Sequence, residues 1–183
     1  RDYYETSNGH ASATATIENI NDNGSANFTA TLSAPKKGSN NVSLVYPASA
    51  HDGNGGFKTD ALMNQQGTLA YISQYGLDIE TATTTLNVEE TTATLKSSVV
   101  MQPEVCLYTM NLRENSSYSN LTTTTKLVIK DNDHTYTITP TTPTNSFTVA
   151  LLPIQSSDIS FTATTNDETT FYTKQDDVTL ANC

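Results

Sequence analysis

A turn-forming tripeptide between two alternating apolar segments constrains the fold more than any other feature of the chain. In KLVIKDNDHTYTI (residues 126–138), Leu127 and Ile129 precede Asp-Asn-Asp. Tyr136 and Ile138 follow the tripeptide with the same spacing. Successive side chains of a strand point to opposite faces, so each half presents one apolar face. Asn and Asp accept left-handed backbone angles, so the chain can turn here at little cost. The segment predicts an antiparallel β-hairpin.

The same alternation recurs along most of the chain, at intervals of roughly 8–12 residues. The further alternating segments are SANFTATL, VSLVY, SFTVALLP, DISFTAT, TTFYTK and VTL. Threonine, with 33 residues, is β-branched and suits a half-exposed pleated surface. The pattern predicts an all-β fold and is typical of an antiparallel β-sandwich or barrel.

One segment departs from this alternation. ALMNQQGTLAYISQYG, residues 61–76, has apolar residues at mixed spacings and ends in Gly76. It predicts either a short helix around Thr68–Gln74 capped by Gly76 or an irregular crossover. The character of the chain shifts again near Met101–Pro103, where a regular series of strands begins. We therefore expect two domains. Residues 1–100 would form the first, with a Gly-rich loop and the helix or crossover at 51–76, and residues 101–183 the second.

Charge and hydropathy exclude several classes of partner. The formal net charge is −10 and the sequence pI about 4.5, which disfavours nucleic acid and anionic membranes. No apolar run reaches the roughly 18 residues of a membrane span. We therefore expect neither a nucleic-acid partner nor a transmembrane segment.

The Gly-rich loop at Asp52–Gly56 is the first candidate for chemistry. Its glycines do not fit the G-x4-G-K spacing of a phosphate loop. Counted as a calcium loop from Asp52, it has Gly56 at a ligand position and Met63 where the final carboxylate belongs. A solvated loop, following a strand that Pro47 ends, explains the sequence better.

The second candidate is the acidic turn of Asp131, Asp133 and His134, which could form a metal or acid–base cluster. Acids in a three-residue turn usually face water, and such a turn cannot surround a cation alone. None of the three histidines lies in a recognisable Ser- or Cys-nucleophile motif. We therefore predict no catalytic residue, no metal site and no cofactor, and hence a protein that is not an enzyme.

The two cysteines, Cys106 and Cys183, lie far apart in the sequence. They form no CxxC motif and pair with no histidine at the spacing of a zinc site. Two free thiols and one disulfide are both compatible with the sequence.

Several short strings occur in an order that identifies a family resemblance. They are ANFTATL, LVYPASA, NQQGTLAYIS, LVIK with YTITP, FTVALLP, ISFTATT and YTKQDDVTLAN. In this order they resemble the fimbrillin family of Bacteroidales, which comprises surface pilins and their relatives. The resemblance covers nearly the whole chain and rests on hydrophobic strings, without catalytic signatures.

This resemblance implies a fold, a location and partners. The family fold is two tandem transthyretin-like β-sandwiches, related to the Ig-like sandwich, without enzymatic activity or cofactor. The implied function is a structural subunit of a fimbria on the outer surface of a Gram-negative bacterium. The implied partners are identical or homologous pilin subunits.

The sequence also departs from this family at its end. Relatives follow VTLAN with glycine and a further strand, whereas Cys183 stands in the position of the glycine here. We therefore expect the second sandwich to lack its last strand, which would leave an edge for strand exchange between subunits. The expected edge consists of Asp177, Val178, Thr179, Leu180, Ala181 and Asn182.

An alternative function on the same fold is a surface adhesin or glycan-binding module with host glycans or proteins as partners. Exposed tyrosines could stack on sugars, and the candidates are Tyr3, Tyr4, Tyr71, Tyr75 and Tyr118. Ordinary packing of these side chains is the competing interpretation.

Overall fold

The computed structural model describes residues 12–32 and 37–180 in full, and residues 2–5 by their backbone. Strand accounts for 51% of the structure and helix for 8%. Soluble proteins average roughly 20–25% strand, so the predicted all-β class is confirmed. Within the described ranges, every helix is far shorter than the roughly 20 residues that a bilayer crossing requires.

The described chain contains fifteen strands and one α-helix, with short 3-10 turns at Ala48–Ala50 and Asp60–Met63. In chain order the elements are β1 (Asp2–Glu5), β2 (Ser12–Thr14), β3 (Thr16–Glu18), β4 (Asn27–Thr29), β5 (Gly38–Tyr46), β6 (Asn64–Gln65), α1 (Leu69–Tyr75), β7 (Glu80–Val88), β8 (Ala93–Leu95), β9 (Gln102–Pro103), β10 (Cys106–Asn111), β11 (Thr124–Lys130), β12 (Thr135–Ile138), β13 (Ser146–Leu151), β14 (Ile154–Thr165) and β15 (Thr170–Leu180).

The hairpin predicted from residues 126–138 is confirmed as β11 and β12. Leu127 pairs with Ile138 and Ile129 with Tyr136, and all four side chains are fully buried. The turn is held by Asp131, whose Oδ1 accepts hydrogen bonds from the backbone N–H groups of Asp133 and His134 at 2.8 and 2.6 Å. The local turn chemistry read from the sequence therefore sets this register.

The short helix predicted before Gly76 is also confirmed. Thr68 caps α1, because its Oγ1 accepts from the N–H of Tyr71 at 3.1 Å. Gly76 ends the helix with a left-handed φ of 62°, a conformation that glycine adopts without strain. Ile72 packs the helix into the core with 1% exposure.

The chain divides into two compact units. Unit 1 comprises residues 1–58 and 79–103, and unit 2 comprises residues 59–78 and 104–183. Residues 59–78 belong to unit 2 by their contacts, although the sequence expectation placed them within residues 1–100. The reason is long-range pairing, since β6 pairs in parallel with β12.

Unit 1 contains a sheet in the order β2-β1-β5-β7-β8, in which β9 also pairs with β7, and a separate β3-β4 hairpin. Its longest pairing runs from Gly38↔Val88 to Tyr46↔Glu80. β5 ends directly before Pro47, as predicted. Val42, Leu44, Leu86 and Val88 form the buried cluster of this unit.

Unit 2 contains a five-stranded sheet in the order β15-β14-β11-β12-β6 and a two-stranded sheet, β10-β13. The inner faces of the two sheets meet where Ile138 and Phe147 both approach Gly67. The largest fully buried side chains of this unit are Leu62, Ile72, Leu77, Leu127, Ile129, Tyr136, Ile138, Phe147 and Leu151.

Candidate functional site

The outer edge of β13 is closed by a buried side chain instead of a strand. The amide of Gln65, which is 3% exposed, donates from Nε2 to the carbonyl of Ala150 at 2.7 Å and accepts on Oε1 from the N–H of Ala150 at 3.0 Å. The N–H of Thr148 donates to the carbonyl of Gly67 at 2.8 Å. These contacts satisfy the backbone groups that an edge strand would otherwise leave free.

The opposite edge of this small sheet, on β10, is open. In an antiparallel pair, hydrogen-bonded and non-hydrogen-bonded residue pairs alternate. Since Ala150 and Thr148 bond outward, their partners Leu107 and Thr109 must also direct their N–H and C=O groups away from β13. Asn111 continues this alternation. Within the described part of the chain, no hydrogen bond joins these outward backbone groups to another residue.

The inner face of β10 is incompletely covered. Cys106, Tyr108 and Met110 pair with Leu151, Val149 and Phe147, which are at most 1% exposed. Tyr108 is nevertheless 38% exposed and Met110 is half-buried. Side chains that face a core but remain accessible indicate that a neighbouring strand is missing beside β10.

A cleft of about 470 Å³ begins at Leu112, the residue after β10, and lies over the inner face of the larger sheet. Its lining residues are Leu112, Arg113, Glu114, Asn115, Tyr118, Leu121, Leu127, Phe161, Ala163, Phe171, Tyr172 and Thr173. We call it the open cleft. Leu127, Ala163 and Phe171 form one cross-strand row of its floor. Leu127 is 0% exposed, Ala163 is 4% exposed and Phe171 is half-buried, so the floor becomes more exposed to solvent toward β15.

The connection from β10 to β11 forms the other wall of the open cleft. An isolated antiparallel β-bridge pairs Arg113 with Asn120 and makes this connection a small hairpin. At its tip Tyr118 has a positive φ of 57° and is 76% exposed. Its N–H donates to the carbonyl of Glu114 at 2.8 Å, which holds the strained residue in place. Tyr172, on β15, also borders the cleft, but it alternates with Phe171 and Thr173, so its 67% exposed side chain lies on the opposite face of the sheet.

The chemistry of the open cleft suits binding through shape and apolar contact. Its floor is aliphatic and aromatic, and the only ionisable groups along its described lining are those of Arg113, Glu114, Tyr118 and Tyr172. An open backbone edge whose strand continues through Leu112 into the wall of an apolar cleft is a combination that can accept an extended peptide segment.

The sequence placed the exchange edge elsewhere, at residues 177–182. Asp177 through Leu180 form the end of β15, and Ala181 and Asn182 lie outside the described residues. Val178 pairs with Ser157 and Leu180 with Ile154, with register shifts between them. The open edge of β10 was not identified from the sequence, although CLYTMN alternates Tyr108 and Met110 with polar or outward residues.

Cys106 is disulfide-bonded and 2% exposed. Cys183, the only other cysteine of the sequence, lies outside the described residues. The sequence left two free thiols and one disulfide both open; the structure has Cys106 in a disulfide, and Cys183 as its partner is a proposal.

The Gly-rich loop is held by hydrogen bonds from its own backbone N–H groups to the carboxylate of Asp52. Asp52 Oδ1 accepts from the N–H groups of Asn54 at 2.7 Å and Gly56 at 3.0 Å. These bonds, that of Asn54 foremost, hold the pKa of Asp52 below its ordinary value. In the part of the chain that the structure describes, no three His, Cys, Asp or Glu side chains come together as a metal site would require.

Among the tyrosines considered for glycan binding, Tyr71 and Tyr75 contact each other. Their ring centroids are 4.3 Å apart on α1, and the hydroxyl of Tyr71 donates to the carbonyl of Asn64 at 3.3 Å. Tyr75 is 53% exposed. The side chains of Tyr3 and Tyr4 lie outside the described residues.

Comparisons of the chain with protein-family models, curated proteins and solved structures return no match.

Proposed function

We propose that this chain is a structural subunit of a cell-surface fimbria that is joined to its neighbours by strand addition at β10. The observation that carries this proposal is the asymmetry of the β10-β13 sheet. Gln65 closes one edge, and the other edge is open beside an uncovered apolar cleft. The sequence resemblance to fimbrillins supports the same function.

The physical reason for addition at this edge is that one incoming strand would satisfy two needs. Its backbone would pair with the outward groups of Leu107, Thr109 and Asn111. Its alternate side chains would fill the open cleft above Phe161, Ala163 and Phe171, and burying apolar surface contributes about 25 cal/mol per Å². The two sheets of unit 2 would then form a complete β-sandwich, one of two in tandem in this proposal.

Such a joint links two different surfaces, so it extends a filament instead of closing a pair. The partner would be a strand of an identical or homologous subunit, and the site would be the outer surface of a Gram-negative cell. In this role the chain needs no catalytic group and no cofactor.

An exposed tyrosine at the cleft favours a second candidate, a surface adhesin that binds glycans. Tyr118 is 76% exposed beside an apolar floor, and an aromatic face can stack on a sugar ring. In that case the protein would bind glycans as a monomer.

The test is assembly of the purified chain with increasing concentration, followed by sedimentation velocity and negative-stain microscopy. Thr109→Pro removes an outward N–H without breaking a backbone bond to β13, and it also removes the 3.1 Å hydroxyl contact of Thr109 with Thr148. We expect it to abolish assembly. Thr109→Val loses the same hydroxyl contact but keeps the N–H, and it should assemble like the native chain. Thr170→Pro alters the start of β15, outside the lining of the open cleft, and should also assemble.

Assembly of Thr109→Pro at the native concentration would refute strand addition at β10. A native chain that stays monomeric, forms no filaments and loses glycan binding on Tyr118→Ala would support the adhesin instead. Far-ultraviolet circular dichroism confirms that each variant is folded.

A further inference from the structure

β15 is another edge strand of unit 2, longer than β10, and no strand of the described ranges pairs with its outer side. It spans eleven residues at the end of the five-stranded sheet, most of them exposed. A long exposed edge is a template for pairing with any passing strand. Two features of this edge act against such pairing.

The first feature is a distorted backbone. The pairing of β14 with β15 shifts register between Ile154 and Ser157 and again between Ser157 and Ile159. Ser156 and Asp177 have positive φ angles of 45° and 55°. The N–H of Asp177 turns toward Asp158 Oδ1 at 3.4 Å. A bulge of this kind bends the edge, so a straight partner strand cannot pair along its length.

The second feature is an ion cluster in the middle of β15. Lys174 Nζ lies 2.7 Å from Asp158 Oδ2 and 2.7 Å from Asp176 Oδ1. The side chains of Lys174, Asp158 and Asp176 are 45%, 47% and 76% exposed. The hydrogen bond from Lys174 lowers the pKa of Asp158. A strand added here would remove water from three charges, which is costly.

We propose that the bulge ends pairing beyond Gln175 and that the Lys174–Asp158–Asp176 cluster closes the regular part of β15 before it, so that subunits add at β10 only. β10 offers a contrast, because the ion pairs of the described residues include none on this strand. The direction of growth rests on the proposed function, whereas the protection of β15 does not. A subunit with one accepting edge grows as an unbranched filament.

The experiment isolates β15 by using Thr109→Pro as the background, in which β10 is blocked. Asp158→Asn, Lys174→Gln and Asp176→Asn are combined to remove the charges while keeping side-chain size. The control combines Glu89→Gln, Glu90→Gln and Lys96→Gln, which makes the same charge change at exposed positions in unit 1. Sedimentation velocity measures size, and amide hydrogen exchange at Tyr172 reports pairing at β15.

We expect the β15 variant to form dimers and larger species with slowed exchange at Tyr172, and the control to stay monomeric. A β15 variant that stays monomeric, or that associates without protecting Tyr172, would overturn the inference. If the triple variant does not fold, the double variant Lys174→Gln and Asp176→Asn is measured instead, and the same outcomes support or overturn the inference. Association of the Thr109→Pro background itself would contradict the proposed function, while the comparison between variant and control would still decide about β15.

A separate observation concerns the chemistry of the Gly-rich loop. The sequence has three Asn–Gly dipeptides, at Asn8, Asn23 and Asn54, and the structure describes the last two. In the loop at 52–56, the N–H groups of Gly53, Asn54 and Gly56 are hydrogen-bonded. The N–H of Gly55 donates to no described residue, and Asn54 is exposed.

Asn23 is also exposed, but its dipeptide differs in its hydrogen bonds. The N–H of Gly24 donates to the carbonyl of Asn21 at 3.0 Å. The side-chain oxygen of Asn23 accepts from the N–H and the hydroxyl of Ser25 at 3.0 and 2.7 Å. Both reacting groups are therefore held in other bonds.

We infer that Asn54 is a site of spontaneous deamidation and that Asn23 is protected. The backbone nitrogen of Gly55 forms a bond to Cγ of Asn54, the Cγ–Nδ2 bond breaks, and ammonia leaves with the proton of the Gly55 amide. Water then opens the succinimide at either carbonyl, giving aspartate or isoaspartate.

Peptide mapping by mass spectrometry after incubation at mildly alkaline pH tests this inference, with Asn54→Gln as the control that removes the site. We expect conversion several-fold faster at Asn54 than at Asn23. Equal rates, or faster conversion at Asn23, would overturn it.

Discussion

The side-chain amide of Gln65 pairs with both backbone groups of Ala150, a residue 85 positions away. The two contacts, 2.7 Å from Nε2 to the carbonyl and 3.0 Å from the N–H to Oε1, reproduce the bonding of a strand. Nε2 also donates to the carbonyl of Leu62 at 2.7 Å. One buried amide thus fixes the edge of the β10-β13 sheet opposite the open one.

Replacing Gln65 tests this closure. Gln65→Leu leaves the N–H and C=O of Ala150 buried without partners, and each unsatisfied group costs about 1–3 kcal/mol. We expect the free energy of unfolding to fall by about 2–5 kcal/mol in urea denaturation. Gln155→Leu, at an exposed position of β14, is the matched control and should change it little. Equal effects of the two substitutions would contradict the role of Gln65.

Gly67 is expected to tolerate no side chain. A Cβ there would lie 2.6 Å from Phe147 Cδ1 and 2.8 Å from Ile138 Cγ2, at a φ of +77°. Gly53 has a φ of +90°, but a Cβ at that residue would meet no heavy atom within 4 Å. Gly53→Ala therefore measures the loss of stability from backbone strain alone. We expect Gly67→Ala to lower the free energy of unfolding by about 1–3 kcal/mol more, because of overpacking. Thermal unfolding of both variants gives the comparison, and equal losses would refute the clash.

Tyr136 should make stability depend on pH in the alkaline range. Burial raises the pKa of Tyr136 from 10.0 to about 12, so the folded state holds the phenol proton more tightly than the unfolded state. The resulting stability is complete below pH 10 and is lost as pH rises through 12. The loss should be about 3 kcal/mol, since one pKa unit corresponds to about 1.4 kcal/mol.

The matched control is Tyr136→Phe, which cannot ionise. It removes the acceptor of the N–H of Leu152, 3.2 Å away, and so lowers stability at neutral pH by about 1–2 kcal/mol. Urea denaturation across the alkaline range should show a smaller decline for this variant than for the native chain. Parallel declines would show that Tyr136 is not the responsible group.

The disulfide of Cys106 should stabilise unit 2. Reduction is expected to lower the free energy of unfolding by about 2–4 kcal/mol, mainly because the unfolded chain gains freedom. We expect Cys183 to be the partner, so non-reducing peptide mapping should recover one cross-linked peptide. The variant with both cysteines replaced by serine should be insensitive to reductant. Free thiols in the native chain would contradict the pairing.

The sequence specified those elements whose determinants are local. The hairpin at 126–138 depends on a three-residue turn, and α1 depends on the Thr68 cap and Gly76, so both were predicted. Closure of β13 by Gln65 depends on contacts between residues 85 positions apart, and the outward groups of β10 depend on its pairing with β13. No short pattern records such contacts, so the sequence did not point to β10, and the exchange edge expected at residues 177–182 stays a prediction.

The position of residues 59–78 illustrates the same limit. Their composition resembled a connection within the N-terminal part, yet β6 pairs with β12 and Gly67 packs against Phe147. A two-residue strand and one glycine carry almost no periodic signal. Assignment of this segment to unit 2 therefore required the structure.

Amide hydrogen exchange of assembled and dissociated material tests the central claim most directly. Strand addition at β10 predicts that the N–H groups of Leu107 and Thr109 exchange much more slowly in the assembled state, while that of Tyr172 on β15 is unchanged. Filaments in which Leu107 and Thr109 exchange as fast as in the dissociated chain would contradict the account.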